Sequence, residues 1–171
     1  LQLLTGKPVL YVCNVDEGSA ATGNALSKQV EEMAAPRGVP VVVVSARIEA
    51  EISLLPTDAE KKEFLESLGL AETGLARVIK AGYSRLNLIT YFTVGPKETR
   101  AWTITQGTLA PAAAGVIHTD FEKGFIRAET ISYDDYVTLG GEAGAKKAGK
   151  ARLEGKEHEV QDGDVMHFRF A

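Results

Sequence analysis

The apolar residues of this chain change their spacing once, near residues 85–87, and that change divides the chain into two parts. Upstream, continuous apolar runs alternate with segments of helical spacing, which is the pattern of an α/β fold. Downstream, Leu88–Val94 and Thr99–Thr105 alternate between apolar and polar residues, as half-buried strands do. Gly95 and Pro96 between them favour a hairpin turn. We therefore expect a domain boundary at about Arg85–Asn87.

The front part contains a strand–helix–strand pattern. Val9–Cys13 and Val39–Val44 are continuous apolar runs, which predict strands buried on both faces. Between them, Ala25–Ala35 has apolar residues at helical spacing, and Asn24 before it is a suitable N-cap. Short connections of this kind join parallel strands through a right-handed crossover. Two strands alone make a small sheet, so we expect this unit to be the remnant of a larger one.

Helical segments follow this unit and then continue into the second part. Residues 57–86 predict connecting helices, one opened by a capping box at Thr57–Glu60 and one at Gly74–Leu86. In the second part we expect a helix at Pro111–Lys123 and a closing strand at Val165–Phe170. Gly140–Gly149 is rich in Gly, Ala and Lys, which predicts a surface loop.

Composition excludes several classes of protein. The net charge is -4 and the hydrophobic content is 44%, which is ordinary for a globular protein and argues against wholesale coating of nucleic acid. The lone cysteine, Cys13, allows no internal disulfide framework and no zinc cluster. His118, His158 and His167 are too scattered to predict a metal site. No apolar run predicts a membrane span and no leader is evident. Because the chain begins with Leu1, we expect a fragment of a cytoplasmic protein.

The residues Asn14–Glu17 follow the first predicted strand, at the edge of a sheet where α/β proteins bind ligands. Many GTPases carry Asn-Lys-x-Asp at this place, where the carboxylate reads guanine. Here Val15 replaces the lysine and Glu17 replaces the aspartate, so the preference for guanine should fall steeply. Ser45 and Ala46 follow the second strand, and their position resembles that of the next base-contacting loop of the same enzymes. The alternative for Asn14 is a simple turn or cap residue, which is common at strand ends.

Two glycine-rich segments resemble a phosphate-binding loop without completing one. Gly-x4-Gly-Lys-Ser/Thr is required, because the backbone cradles phosphates, the lysine reaches them and the hydroxyl holds Mg²⁺. Gly18–Gly23 has the glycine spacing but lacks the lysine and the hydroxyl. Gly144–Lys150 has a lysine, but Ala151 stands at the hydroxyl position. We therefore predict no catalytic residue in this chain.

The segments His118–Glu129 and Gln161–Phe170 resemble the C-terminal TGS domain of the YchF/Obg-like ATPase family, a group of translation-associated P-loop nucleotidases. The resemblance implies that residues 1–56 are an α/β remnant of a P-loop nucleotidase domain and that residues 57–86 are connecting helices. Residues 87–171 would be an α+β TGS domain with a β-grasp, ubiquitin-like fold. The family pattern Asn-x-x-Glu is associated with accepting ATP over GTP. By the same resemblance, Asn14 and the Val15 backbone contact adenine.

The resemblance also implies an activity and partners. The full-length protein would bind ATP or GTP, hydrolyse ATP with Mg²⁺ and associate with ribosomes or RNA, without a membrane. This chain would need no cofactor of its own and would be inactive alone, since the phosphate loop lies elsewhere. Six basic residues are candidates for RNA or ribosome contact: Lys123, Arg127, Lys146, Lys147, Lys150 and Arg152.

Three interpretations of the chain stay open. It could be a piece of an ATPase that couples nucleotide state to ribosome or RNA binding, a non-enzymatic RNA- or ribosome-binding module, or a ubiquitin-like adaptor that uses its sheet face to bind proteins. Acidic residues lie between the basic ones, so the basic residues could also form an ordinary solvated surface.

Overall fold

The chain divides into two compact units, one ending at Leu86 and one covering Asn87–Ala171. The computed structural model describes residues 3–171. None of the described helices is both long and apolar enough to cross a membrane.

The first unit is built around two short parallel strands, β1 (Tyr11–Asn14) and β2 (Val41–Val44). Helix α1 (Ala25–Ala34) connects them, and Asn24 caps it as predicted. The predicted parallel pairing is confirmed, with Asn14 aligned with Val44.

Burial of these two strands was predicted wrongly. Val12 is 49% exposed and Cys13 is only partly buried, while Val42 is the single buried residue of β2. The physical reason is that each strand has one described neighbour, so the apolar runs are not covered on both faces as those of a central strand would be.

Three further helices complete the first unit: α2 (Ala46–Ser53), α3 (Asp58–Ser67) and α4 (Gly74–Arg85). The predicted capping box opens α3, since Thr57 Oγ1 accepts the Glu60 N–H and the Glu60 carboxylate accepts the Thr57 N–H. A small apolar core joins α2 to α3, formed by buried Ala20, Ile48, Ile52, Leu65 and Leu70. Helix α2 was not predicted, because its segment reads as a loop after β2.

The second unit is a five-stranded mixed sheet in the order β4-β3-β7-β5-β6. Its strands, in chain order, are β3 (Leu88–Val94), β4 (Thr99–Thr105), β5 (Phe125–Ser132), β6 (Arg152–Glu154) and β7 (Asp164–Phe170). The predicted hairpin of β3 and β4 is confirmed, with its turn closed by the Gly95 N–H on the Glu98 carbonyl. The middle strands β3 and β7 run parallel.

Helix α5 (Ala110–Ile117) covers one face of this sheet. Its small side chains, Ala110, Ala113 and Ala114, are fully buried, which lets the helix lie close to the aromatic core. The Tyr91 hydroxyl donates a hydrogen bond to the Ala113 carbonyl at 2.9 Å, so the polar end of this buried ring is satisfied.

The single helix predicted at Pro111–Lys123 is wrong, because the segment forms α5 and a separate α6 (Thr119–Lys123). His118 between them is extended, with φ -160° and ψ 140°, and its Nδ1 accepts the Asp120 N–H. A Cβ at Gly115 would meet the Glu122 carboxylate at 2.6 Å, so the two helices approach closely at that glycine. The chain therefore turns here in order to keep both helices packed.

The predicted surface loop at Gly140–Gly149 is also wrong. After α7 (Tyr133–Thr138), residues Glu142–Lys147 form helix α8. Ala145 on this helix is fully buried, and Gly141, at φ 105°, provides the left-handed entry that most residues would resist. Tertiary packing of Ala145 therefore overrides the glycine-rich composition.

Candidate functional site

The two predicted base-contacting loops meet at the carboxyl ends of β1 and β2. Asn14 is the last residue of β1, and its Oδ1 accepts the Ala46 N–H at 2.9 Å across 32 residues of sequence. One residue later, the Val15 N–H donates to the Val44 carbonyl at 2.8 Å. These two bonds hold the Asn14 loop against the start of α2. The parallel register of the strands aligns Asn14 with Val44 and so brings the two loops together.

The Asn14 side chain accepts the first amide of α2, an arrangement that the cap alternative for Asn14 also allows. Its side-chain oxygen is committed to Ala46, while its Nδ2 donates no hydrogen bond within the part of the chain that the structure describes. An amide N–H₂ in this position can donate to a ring nitrogen of a base. Asn14 is exposed, so a ligand can reach it.

Ser45 and Ala46 lie at the N-terminus of α2 rather than in the predicted loop. Ser45 is the residue before the helix and is 3% exposed, and its Oγ has no hydrogen-bond partner among residues 3–171. Ile48 and Ile52, spaced one turn apart, bury this helix in the apolar core. That spacing is the sequence signal that could have identified α2.

Glu17 begins a short 3-10 turn after β1, and its carboxylate is engaged by an arginine that the sequence pattern did not single out. Arg47 Nε lies 2.5 Å from Glu17 Oε1 and 3.5 Å from Glu51 Oε1. Both members of the first pair are solvent-exposed, at 77% for Arg47 and 42% for Glu17. In an Asn-Lys-x-Asp loop the corresponding carboxylate points at guanine, whereas here it is occupied by a neighbouring side chain.

Glu49, also missed from the sequence, fixes the orientation of α2. Its carboxylate accepts the Gly74 N–H at 2.6 Å and the Leu75 N–H at 3.1 Å. These are the first two amides of α4, so one acidic side chain satisfies donors that a helix start leaves without intrahelical partners. The start of α4 is thereby bonded to α2, the helix that begins at Ala46.

The glycine-rich segments lie next to or within helices that use their backbone amides for bonds inside the chain. After Gly18–Gly23, Asn24 Oδ1 accepts the N–H groups of Leu26 and Ser27 at 3.0 Å each, so these amides at the start of α1 are already used. Gly144–Lys150 lies mostly within helix α8, where the amides bond along the helix.

The six basic candidates of the second unit differ in their surroundings. Three of them pair with carboxylates: Lys146 with Glu129 at 2.8 Å and Glu142 at 2.5 Å, Lys150 with Asp135 at 3.4 Å, and Arg152 with Glu154 at 3.0 Å and Asp164 at 3.6 Å. Lys123, Arg127 and Lys147 make no ion pair within residues 3–171. Only these last three therefore offer uncompensated charge.

Glu129 lies at the centre of the paired set. Its side chain is 12% exposed and contacts both Lys146 and Arg169. The hydrogen bond from Lys146 holds the pKa of the Glu129 carboxyl below its usual value, against the opposing effect of burial, and Arg169 adds to the lowering. Since Glu129 raises the pKa of Lys146 in turn, Lys146 is mainly an internal partner that anchors α8 to the sheet.

The described residues contain no cluster of His, Cys, Asp and Glu that could hold a metal ion. The predicted nucleotide-binding residues come together in one place in the first unit: Asn14, Val15, Glu17, Ser45 and Ala46. The basic candidates all belong to the second unit.

Comparison with known proteins places this chain among longer proteins. The family model YchF-GTPase_C, described as "Protein of unknown function (DUF933)", matches residues 88–171. The chain is 57% identical over 172 residues to the "Ribosome-binding ATPase YchF" of Bacillus subtilis (99% of this chain, 47% of that protein). It is 60% identical over 167 residues to the protein of that name from Haemophilus influenzae (98% of this chain, 46% of that protein). The chain thus spans about half the length of the curated relatives it matches.

A solved structure, "Structure of the Schizosaccharomyces pombe YchF GTPase", matches with a TM-score of 0.83 and 36% identity. The match covers 98% of this chain and 44% of that one. The similarity therefore extends over both units.

Proposed function

Because the chain belongs to the YchF family, we propose that it supplies the base-recognition loops of a longer protein that binds ATP, hydrolyses it and associates with ribosomes in the cytoplasm. The observation that carries this proposal is the hydrogen bond from the Ala46 N–H to Asn14 Oδ1. It joins two loops that are far apart in sequence into one surface at the carboxyl edge of the sheet, where α/β folds bind ligands.

Adenine is the base that this surface fits better. Guanine recognition needs a carboxylate free to accept two N–H groups, and the Glu17 carboxylate is instead paired with Arg47. Val15 offers an apolar side chain for packing against a ring. Asn14 Nδ2 remains to contact the adenine edge, and of the Val15 backbone the carbonyl does, because the Val15 N–H is bonded to the Val44 carbonyl.

The phosphates and Mg²⁺ would be held by the rest of the full-length protein. Mg²⁺ would neutralise charge on the phosphates there. Within this chain, the glycine-rich segments are committed to helix packing and caps, so we expect no hydrolysis by residues 1–171 alone.

We also propose that the first unit is part of a P-loop nucleotidase domain and that the second is a β-grasp TGS domain. The parallel strand–helix–strand unit supports the first assignment. For the second, support comes from a hairpin, then a helix across the sheet, then a last strand that inserts beside the first strand, β3.

Contact with RNA is a second candidate function for the second unit, favoured by the free cations Lys123, Arg127 and Lys147. Each phosphate contact made by such a residue makes binding weaker as salt rises. Replacing these three by glutamine should reduce ribosome or RNA binding and flatten its salt dependence. Replacing the carboxylate-paired Lys150 is the matched control and should change the slope less. A shallow salt dependence in the unsubstituted protein would instead indicate a protein partner, as the adaptor interpretation requires.

The experiment on the base loops uses the full-length protein. The double substitution Val15→Lys with Glu17→Asp should shift affinity from ATP towards GTP, because it restores the Asn-Lys-x-Asp pattern. Asn14→Ala should weaken both nucleotides by removing a shared contact and the Ala46 link. Calorimetric titration with each nucleotide measures both effects, and Glu63→Asp on the exposed face of α3 is the control. An unchanged ratio in the double variant, together with unchanged affinity in Asn14→Ala, would refute the proposed site.

A further inference from the structure

Arg47 connects the two base-contacting loops through a side chain to which neither the motif nor the comparisons give a role. It follows Ala46, whose amide is bonded to Asn14, and it reaches across to the other loop, where its Nε lies 2.5 Å from Glu17 Oε1. Helix α2 is held in place by its buried isoleucines and by its Glu49 carboxylate, which accepts the Gly74 N–H of α4. The backbone of Arg47 is therefore held in place, and its side chain reaches the Glu17 carboxylate.

The two purines place opposite demands on the Glu17 carboxylate. Guanine presents N1–H and N2–H, two donors that a free carboxylate can accept together. Adenine presents an acceptor at N1 and only a C–H at position 2. An uncompensated carboxylate facing that edge repels the N1 acceptor and finds no N–H donor there.

We infer that Arg47 is a positioning residue that sets base specificity: by binding Glu17, it withholds the carboxylate from guanine and neutralises it opposite adenine. This inference rests on the proposed function, since it concerns the same base loops. Glu51, 3.5 Å from the same Nε, helps to orient the guanidinium along α2.

The test compares the affinities of ATP and GTP for the full-length protein and its variants. Arg47→Ala should move the affinity ratio towards GTP by about two- to five-fold, the range expected for releasing one exposed ion pair. Arg47→Lys retains a cation and should keep most of the original ratio. Arg37→Ala, which removes an exposed arginine of the same unit, should leave the ratio unchanged.

A double-substitution cycle separates action through Glu17 from any other effect. In a Glu17→Gln background the carboxylate is already absent, so adding Arg47→Ala should no longer change the ratio. If the ratio does not move in Arg47→Ala, or if it moves equally in the Glu17→Gln background, the inference is overturned. If the unsubstituted protein binds neither nucleotide, the proposed function itself fails instead.

Discussion

Replacing Glu49 should loosen the start of α4 while leaving the rest of the first unit folded. The Glu49 carboxylate accepts the N–H groups of Gly74 and Leu75 at 2.6 and 3.1 Å. Glu49→Ala removes both acceptors and leaves the N–H of buried Gly74 without its hydrogen-bond partner. A second cap remains, because Thr73 Oγ1 accepts the Ala76 N–H at 3.0 Å, so we expect local opening rather than loss of the helix.

The size of the effect follows from the number and kind of bonds. A hydrogen bond to a charged group contributes about 1.5–3 kcal/mol net, and a negative charge at a helix N-terminus about 0.3–1 kcal/mol. Glu49 is partly exposed, so water can replace part of its hydrogen bonding to the two amides. We therefore expect Glu49→Ala to reduce the local free energy of opening at the start of α4 by about 2 kcal/mol. Glu49→Gln keeps one oxygen acceptor and loses the charge, so about half of that loss is expected.

Amide hydrogen exchange followed by NMR measures the free energy of local opening at Gly74 and Leu75. A loss of about 2 kcal/mol corresponds to exchange about 30-fold faster at Gly74 and Leu75. The control is Glu66→Ala on α3, which removes only an exposed pair with Lys62 and should leave those rates unchanged. Rates in Glu49→Ala that stay within about twofold of the unsubstituted protein would refute the argument from these two bonds.

Three further predictions concern the stability of the second unit, measured by urea unfolding with tryptophan fluorescence. The pKa of the Glu129 carboxyl is lowered in the folded protein, so its ionised form stabilises the second unit above about pH 4.5. This stabilisation is lost as the pH falls through the lowered pKa. The loss of stability caused by Glu129→Gln should therefore become smaller in acid. Gly144→Ala should destabilise by about 1–3 kcal/mol, because its Cβ would collide with the Leu139 carbonyl, whereas Gly155→Ala meets nothing and should be neutral. Tyr91→Phe leaves an α5 carbonyl without its hydroxyl donor and should cost about 1 kcal/mol, with no difference from the unsubstituted protein refuting that bond.

Local patterns were sufficient where neighbouring residues determine the structure. The alternation of Leu88–Val94 and Thr99–Thr105 around Gly95 predicted both strands with their observed bounds, since a hairpin is a local structure. The Asn24 cap and the capping box at Thr57 were likewise predicted, because a cap joins groups only three residues apart.

Local patterns failed where a distant contact changes the outcome. The helix predicted through His118 is broken because Gly115 lets α6 pack closely on α5. Helix α8 forms in a glycine-rich segment because Ala145 is buried and Lys146 bonds to Glu129, which lies 17 positions earlier in the chain. The burial predicted for Val12 is absent, since the apolar run alone does not say how many neighbours its strand has.

For the candidate site, the sequence alone determined which chemical groups follow the two strands: Asn14, Val15 and Glu17 after β1, and Ser45 and Ala46 after β2. Only the tertiary structure decided what these groups contact. The parallel register sets Asn14 beside Ala46, and the buried face of α2 turns Arg47 towards Glu17. The spacing of residues fixes the local period of a chain, but a contact across about thirty residues depends on how the helices pack, which no single segment encodes.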